Sequence, residues 1–417
     1  MCVTLRPMTI VAGRRPVGVP DETDWPGELQ LLLGADAGGM LSAAADAAGG
    51  TLRTWAPRQV THQPNRSTVV QYRADIEWAD GATSGETIVA ATGERIPTGA
   101  AVLDDGSTRV AVWRWPSDPS LPGLSAALDR NRVAGLLDDL GIDGGTVQLR
   151  PRAYRPGRRA VIEATGRRGR LFLKVVRPGT VEALHDTHRS LAARLPVPDS
   201  LGWTSDGILV LPALPGRTLR DVLRSGKPTP PGPSAIDALL DRLPAGLAHG
   251  PRRRDVFAGA DHHGAVVAET LPTLRDEIDA LLAHLHAAPR TSHDVVAVHG
   301  DLYEAQLLVG RTGFTGLLDV DTAAAGHRVD DIANLCAHLS VLALVTDRPR
   351  VVKRYGAAVL AHAESRFDRA DLRARIAAAV VGLATGPFRV LEANWPLATA
   401  RRVELARAWL DGSATDE

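Results

Sequence analysis

The chain has 417 residues, with 48 Lys and Arg against 48 Asp and Glu, so its formal net charge is zero. That length calls for two or three domains, each with its own core, and the charge balance gives no reason to expect a nucleic-acid or anionic-membrane partner. Cys2 and Cys336 are too few and too far apart for a disulfide framework or a thiolate metal site. No apolar run reaches membrane-spanning length, and Arg6, Arg14 and Arg15 precede no compact apolar stretch of the signal-peptide kind. The expectation is a cytoplasmic protein; its oligomeric state stays open.

Residues 1 to about 37 are punctuated by Pro and Gly and read as a loosely structured lead-in, with one amphipathic piece at Glu28 to Leu33. Residues 38 to 49 read as a short Ala-rich helix stopped by Gly49 and Gly50. Strands are predicted at Thr51 to Val60, Ser67 to Trp78, Thr87 to Thr92 and Val110 to Trp115, separated by turn signals such as Asp80-Gly81 and Asp105-Gly106. Pro116 to Pro122 reads as a connector, so residues 1–122 form a β-rich N-terminal cap. A helix is predicted over Ala126 to Leu140.

Then the pattern repeats. Tyr154-Arg155-Pro156-Gly157-Arg158-Arg159-Ala160-Val161 echoes His62-Gln63-Pro64-Asn65-Arg66-Ser67-Thr68-Val69, and Gly169 to Lys174 echoes Gly85 to Ala90. The echoes predict two related β-lobes in tandem, the first lacking the lysine. That lysine stands out. The chain has only three, Lys174, Lys227 and Lys353, and otherwise uses Arg for positive charge. Lys174 sits mid-strand in Leu171-Phe172-Leu173-Lys174-Val175-Val176, where an ammonium without a partner is costly. A compact cation there suits contact with the α- and β-phosphates of a nucleotide. Arg158 or Arg159, in the preceding loop, could contact phosphate, with solvated arginines as the preferred reading, and His185 and His188 read as surface residues.

Ile208 to Leu211 is an apolar strand that runs into Pro212-Ala213-Leu214-Pro215-Gly216 and then a helix. From Thr218 onward the chain reads as mostly helical, with apolar spacing of three and four over Ala235 to Leu247, Thr270 to His286, Ile332 to Val345, Arg350 to Ala363, Asp371 to Leu383 and Leu397 to Leu410. Pro228 to Pro233 and Gly250 to His263 read as loops, with His262 and His263 as loop residues lacking a third metal ligand.

The most informative stretch interrupts those helices. An apolar strand runs into His299-Gly300-Asp301; four residues after Asp301 comes Gln306; then Leu307-Leu308-Val309, a polar turn around Gly310 to Gly313, and a second strand ending on Asp319. This hairpin presents two carboxylates and an amide at one edge. Phosphoryl transfer needs such a set: one carboxylate takes a hydroxyl proton, while another carboxylate and a neutral oxygen hold magnesium against phosphate oxygens. Asp330 and Asp331 read as helix caps.

The stretch resembles the catalytic and metal-binding loops of the aminoglycoside phosphotransferase and choline kinase superfamily, distant relatives of protein kinases. The resemblance covers about residues 145 to 400. It implies an α+β, bilobal protein-kinase-like fold: an antiparallel β N-lobe (123–213), a helical C-lobe (214–417) and the extra N-terminal β-rich cap (1–122). It implies Asp301 as the catalytic base, with Asp319, Gln306 and Asp321 as metal ligands. It implies Lys174 on the phosphates, oriented by Glu182 or Asp186 on the next helix, which share a helix face. The strand at 207–214 becomes the hinge between lobes, with Leu211 and Ala213 meeting adenine through backbone groups. Glu392 and Trp395 become acceptor-site candidates, with core filler the preferred reading of Trp395. Gln306 stands where protein kinases have Asn; maltokinases resemble this chain in that.

The implied function is ATP- and magnesium-dependent transfer of the γ-phosphate to the hydroxyl of a small molecule, of aminoglycoside or amino-sugar type. The alternative is a maltokinase-like kinase of a neutral sugar. A third is a non-catalytic nucleotide-binding relative.

Overall fold

The computed structural model describes residues 20–104, 106, 108–167, 169–253 and 255–415. The first 19 residues of the expected lead-in, with Cys2, Arg6, Arg14 and Arg15, lie outside the described residues, as does Asp105. The chain is α+β, with antiparallel sheets and many helices, and its contacts separate it into two compact units. The first comprises residues 1–120, 262–278 and 384–401; the second comprises 121–261, 279–383 and 402–417.

In the first unit, α1 (Gly27–Leu33) and α2 (Ala37–Ala47) precede five strands. These are β1 (Gly50–Gln63), β2 (Ser67–Trp78), β3 (Thr83–Ala91), β4 (Ala101–Asp104) and β5 (Arg109–Arg114), hydrogen-bonded in the order β1-β2-β3-β5-β4. β4 is new relative to the sequence reading: four residues behind a Pro97–Gly99 turn are too few to show a period. The part of the lead-in that is described is not loose. Leu29 and Leu32 of α1 are fully buried and join Trp25 in one cluster with Val70, Tyr72, Ala74 and Ile76, every second residue of β2. The Tyr72 hydroxyl donates to the Leu32 carbonyl, so its one polar atom is satisfied inside that core. Leu271, Phe388 and Trp395 complete the cluster, with the Phe388 and Trp395 rings edge to face at 4.9 Å. Trp395 is therefore core, and its reading as an acceptor contact gives way to packing.

The second unit repeats the plan. Asp129 accepts the N–H groups of Asn131 and Arg132, and this cap starts α3 (Arg130–Asp139), splitting the helix expected over 126–140. Five strands follow: β6 (Gln148–Arg155), β7 (Arg159–Gly166), β8 (Gly169–Val176), β9 (Gly202–Trp203) and β10 (Ile208–Pro212). Their order is β6-β7-β8-β10-β9, so both sheets place the first, second, third, fifth and fourth strands side by side. Between its third and fourth strands the second sheet has α4 (Pro178–Ala192), where the first has only a short turn of 3₁₀ helix at Gly93–Arg95.

The remaining chain is mostly helical: α5 (Leu219–Ser225), α6 (Pro233–Leu240), α7 (Val256–Thr270), α8 (Arg275–Ala287), α9 (Arg328–Val345), α10 (Pro349–Glu364), α11 (Arg369–Ala384), α12 (Gly386–Arg389) and α13 (Trp395–Leu410). The expected loop over 250–263 ends at α7, because the Asp255 side chain accepts the Phe257 N–H at 2.7 Å and starts a helix there. His262 and His263 thus lie on α7, ring against ring at 5.1 Å. Two small sheets interrupt the helices: β11 (Arg217–Thr218) pairs with β13 (Leu307–Val309), which pairs with β14 (Phe314–Leu317), while β12 (Val296–Val298) pairs with β15 (Ala324–Gly326). Cys336 is buried in α9. Among the described residues no helix is long and apolar enough to cross a membrane.

Candidate active site

β12 delivers the chain into His299, Gly300 and Asp301. Gly300 has φ +79, and a Cβ there would stand 2.5 Å from the Thr322 carbonyl, so only glycine fits this turn. The loop is held from four directions. The backbone N–H groups of His299 and Gly300 donate to the two oxygens of Asp331 at 2.7 and 2.8 Å. The Thr322 hydroxyl donates to the His299 carbonyl at 2.9 Å. Arg253 donates to the Gly300 carbonyl at 2.6 Å, and Asn334 to the Leu302 carbonyl at 3.0 Å. His299, wholly buried, has Nε2 2.9 Å from the Leu318 carbonyl and Nδ1 3.3 Å from the Asp301 N–H. A carbonyl only accepts and an N–H only donates, so Nε2 carries the proton and Nδ1 receives one. The ring therefore ties the Asp301 loop to the strand leading into Asp319.

Asp330 and Asp331 do not cap α9 with their side chains, as expected from sequence; the residue before the helix is His327. The Asp331 oxygens are taken by the loop, and Asp330 bonds Arg375 at 2.6 Å. Burial forces this assignment: Asp331 is 2% exposed and must find donors, and the two loop N–H groups are the donors beside it.

Asp319 follows β14 with φ +54, a left-handed conformation that a non-glycine residue adopts only where its surroundings hold it. Lys174 reaches it from the middle of β8: Nζ lies 3.2 Å from Asp319 Oδ1 and is also paired with Asp321. Arg159, at the start of β7, donates from Nη1 and Nη2 to both Asp319 oxygens at 3.1 and 3.2 Å. The Gln306 amide lies 3.4 Å from Asp319 Oδ2. Residues 159, 174, 306, 319 and 321 are thus brought together, with Asp301 on the adjoining loop. Arg159 is no solvated arginine, which corrects the sequence reading of it.

Glu182 and Asp186 are not brought to this cluster. Both are exposed on α4, and the Lys174 ammonium is paired with Asp319 and Asp321. The buried face of α4 carries Val181, His188 and Leu191. His188, read as a surface residue from sequence, is 1% exposed; its Nδ1 lies 2.7 Å from the Pro198 carbonyl and its Nε2 lies 3.5 Å from Asp321 Oδ1. His185, half-buried, bonds Ser200. The helix that was expected to give Lys174 an acid instead gives Asp321 an imidazole.

The backbone groups expected to meet adenine are partly engaged within the sheet. The Ala213 N–H donates to the Arg170 carbonyl at 3.1 Å, and Leu211 pairs with Phe172 in the β10–β8 ladder. Ladder groups alternate in direction, so Leu211 and Ala213 spend their backbone groups on β8. The alternate group at the strand end, the Pro212 carbonyl, is turned the other way.

Electrostatics separate the carboxylates. Burial alone would raise Asp319, but the charges of Lys174 and Arg159 outweigh it and hold this group below the usual carboxylate range. Burial likewise opposes ionisation of Asp321, and the His188 imidazole and Lys174 ammonium pull it far down. Asp301 goes the other way, raised by burial with the Asp319 charge adding to it. Two carboxylates held ionised beside cations, and one poised higher on a neighbouring loop, divide naturally into cation-binding and proton-accepting roles. The donors Asp319, Asp321 and the Gln306 amide oxygen (exposed by a half-turn of its last torsion) are all hard oxygens. They suit magnesium, which takes one or two carboxylates and completes its shell with phosphates and water.

Beside Asp301, Tyr303 stacks on His338 at 4.4 Å, and Arg220 lies over the tyrosine ring at 5.6 Å while bonding buried Glu304 at 2.7 Å. Burial brings His338 down to about 4, so this stack is uncharged at neutral pH. None of Arg220, Glu304 or His338 has a sequence signature; only their contacts with one another and with Tyr303 mark them.

A family model described as a phosphotransferase enzyme family matches residues 154–374, more than half of the chain. The comparison with curated proteins gives no match. Among solved structures, the chain is similar to a thermostable mutant of aminoglycoside phosphotransferase APH(4)-Ia in its apo form, at 14% identity, over 68% of this chain and 99% of that one, with TM-score 0.49. It is similar to macrolide 2'-phosphotransferase MphH from Brachybacterium faecium, at 23% identity, over 68% and 98%, with TM-score 0.40. It is also similar to choline kinase from Cryptosporidium parvum Iowa II, at 11% identity, over 68% and 96%, with TM-score 0.46.

Proposed function

The chain belongs to the phosphotransferase enzyme family and is a small-molecule kinase, and on that premise we propose that it moves the γ-phosphate of ATP to a hydroxyl of an aminoglycoside or amino sugar, with magnesium. The observation that carries the reading is the meeting of Lys174 with Asp319 and Asp321, 145 residues and more further along the chain, in one cluster beside the Asp301 loop. Asp319, Asp321 and the Gln306 amide oxygen would hold magnesium, which would supply neutralisation of the charge that builds up on the transferred group. Lys174 takes phosphate charge, and the Pro212 carbonyl faces the adenine edge.

Asp301 orients the acceptor hydroxyl. As the acceptor oxygen bonds to the γ-phosphorus and the bond to the β–γ bridging oxygen breaks, the hydroxyl proton passes to Asp301 and ADP leaves. The raised position of Asp301 suits a base that must both take this proton and release it to water.

A neutral sugar is the second reading of the acceptor, favoured by Gln306, in which this chain resembles maltokinases. Turnover of ATP measured across aminoglycosides, amino sugars and maltose separates the two. Turnover with amino-bearing acceptors supports the first reading. Turnover with maltose alone replaces it, and no turnover with any of them, together with nucleotide binding, points to a non-catalytic relative.

A further inference from the structure

Arg159 has no role in the mechanism above, yet it is the most heavily engaged cation of the cluster. Its Nη1 and Nη2 meet Asp319 Oδ1 and Oδ2 at 3.1 and 3.2 Å, and Nη1 lies 3.9 Å from Asp321 Oδ2. Its position follows from sheet register. Arg159 pairs with Val176 and Val161 pairs with Lys174 across β7 and β8. Residues two apart on a strand share a face, so Arg159 and Lys174 are diagonal neighbours on one face of the sheet, reaching the same carboxylate. Neither oxygen of Asp319 is left open: Oδ1 meets Lys174 and Arg159, and Oδ2 meets Arg159 and the Gln306 amide.

A divalent cation approaching Asp319 alone must therefore break the guanidinium fork and then sit beside two positive groups. A nucleotide changes that balance. Its phosphates present the same planar pairs of anionic oxygens that a guanidinium fork grips on a carboxylate. Resting on the kinase reading, we propose that Arg159 is a second phosphate-binding cation that closes Asp319 to metal until nucleotide arrives, then transfers its fork from the carboxylate to a phosphate. The exchange is like for like: two N–H donors leave one pair of anionic oxygens for another, and the carboxylate is freed as the metal comes in with the nucleotide. It makes nucleotide and metal binding mutually dependent through one side chain.

The test uses the full chain and two neutral variants, Arg159→Gln and Arg159→Met. Binding of Mn²⁺ alone is measured by electron paramagnetic resonance, and binding of ADP, without and with Mg²⁺, by calorimetry. Removing the fork is expected to tighten Mn²⁺ binding without nucleotide about tenfold and to weaken metal-free ADP about tenfold, the scale of one charged hydrogen-bonded contact. Unchanged or weaker Mn²⁺ binding in a variant that keeps the wild-type circular dichroism spectrum overturns the proposal; Arg159→Met decides if Arg159→Gln does not keep it. Wild-type protein that binds no ADP under Mg²⁺ would defeat the kinase reading itself, a separate outcome from ADP binding that Arg159 does not influence.

Discussion

At the scale of single residues, the site separates acids that look alike in sequence. Asp319 and Asp321 are held ionised by Lys174, Arg159 and His188, while burial pushes Asp301 up. A base works only when ionised, so the sign is fixed: activity is lost as pH falls through the raised value. The acid limb of kcat/KM is expected at an apparent pKa above the ordinary aspartate value of about 3.9. Asp301→Asn, which keeps size but cannot take the proton, is expected to lower kcat by roughly 10²- to 10⁴-fold and to leave ADP affinity within a factor of about two. A limb at or below the ordinary value, or a variant of near-normal rate, would remove Asp301 from the role. Lys174 was readable as unusual because it is a lysine in an arginine-using chain, flanked by apolar neighbours. Arg159 was not, because one arginine among many carries no mark, and only the β7–β8 register shows which of Arg158 and Arg159 shares the face of Lys174.

At the scale of elements, the loop and its support are one device. The first turn of α9 grips the loop backbone through Asp331, and the hairpin β13–β14 joins Gln306 to Asp319, with the Leu318 N–H donating to the Gln306 carbonyl at 2.8 Å. Asp331→Ala would strand the buried N–H groups of His299 and Gly300. We expect a loss of about 2–4 kcal/mol, from one to two unsatisfied buried donors, read as a lower thermal midpoint, with kcat reduced more than the KM for ATP. A variant as stable and active as wild type would show that the loop stands without this grip. The hairpin itself was legible, since Gly310 to Gly313 between two apolar runs is a local signal. The partner of Lys174 was not. Glu182 and Asp186 do share a stripe four apart, but which stripe of α4 turns inward depends on packing against β10, and Val181, His188 and Leu191 won that face. Which backbone groups the sheet uses was hidden for a similar reason: strand Ile208 to Pro212 was visible, but the direction of each backbone group is set by the register with β8.

At the scale of the molecule, the sequence places a β-rich unit first and helices later, and the first unit gathers segments from all along the chain. Its core takes Leu271, Phe388 and Trp395 from segments 262–278 and 384–401, each 5% exposed or less. No sequence period announces this, because an apolar helix face does not say which core it will enter. Removing residues 1–120 is therefore expected to leave these side chains uncovered. The shortened chain should give little soluble protein and bind an apolar dye strongly; a soluble, cooperatively melting product would show that those segments find another core.

The same arrangement bears on how the protein is made. Strands β1 to β5 leave the ribosome as a nearly complete sheet, but Phe388 and Trp395 are not yet synthesised. At about 5–20 residues per second, the nascent sheet waits for tens of seconds before its last aromatic cover arrives. Helices α1 and α2, translated just ahead of the first sheet, are then more than decoration: they can shield its apolar face from the start of that interval.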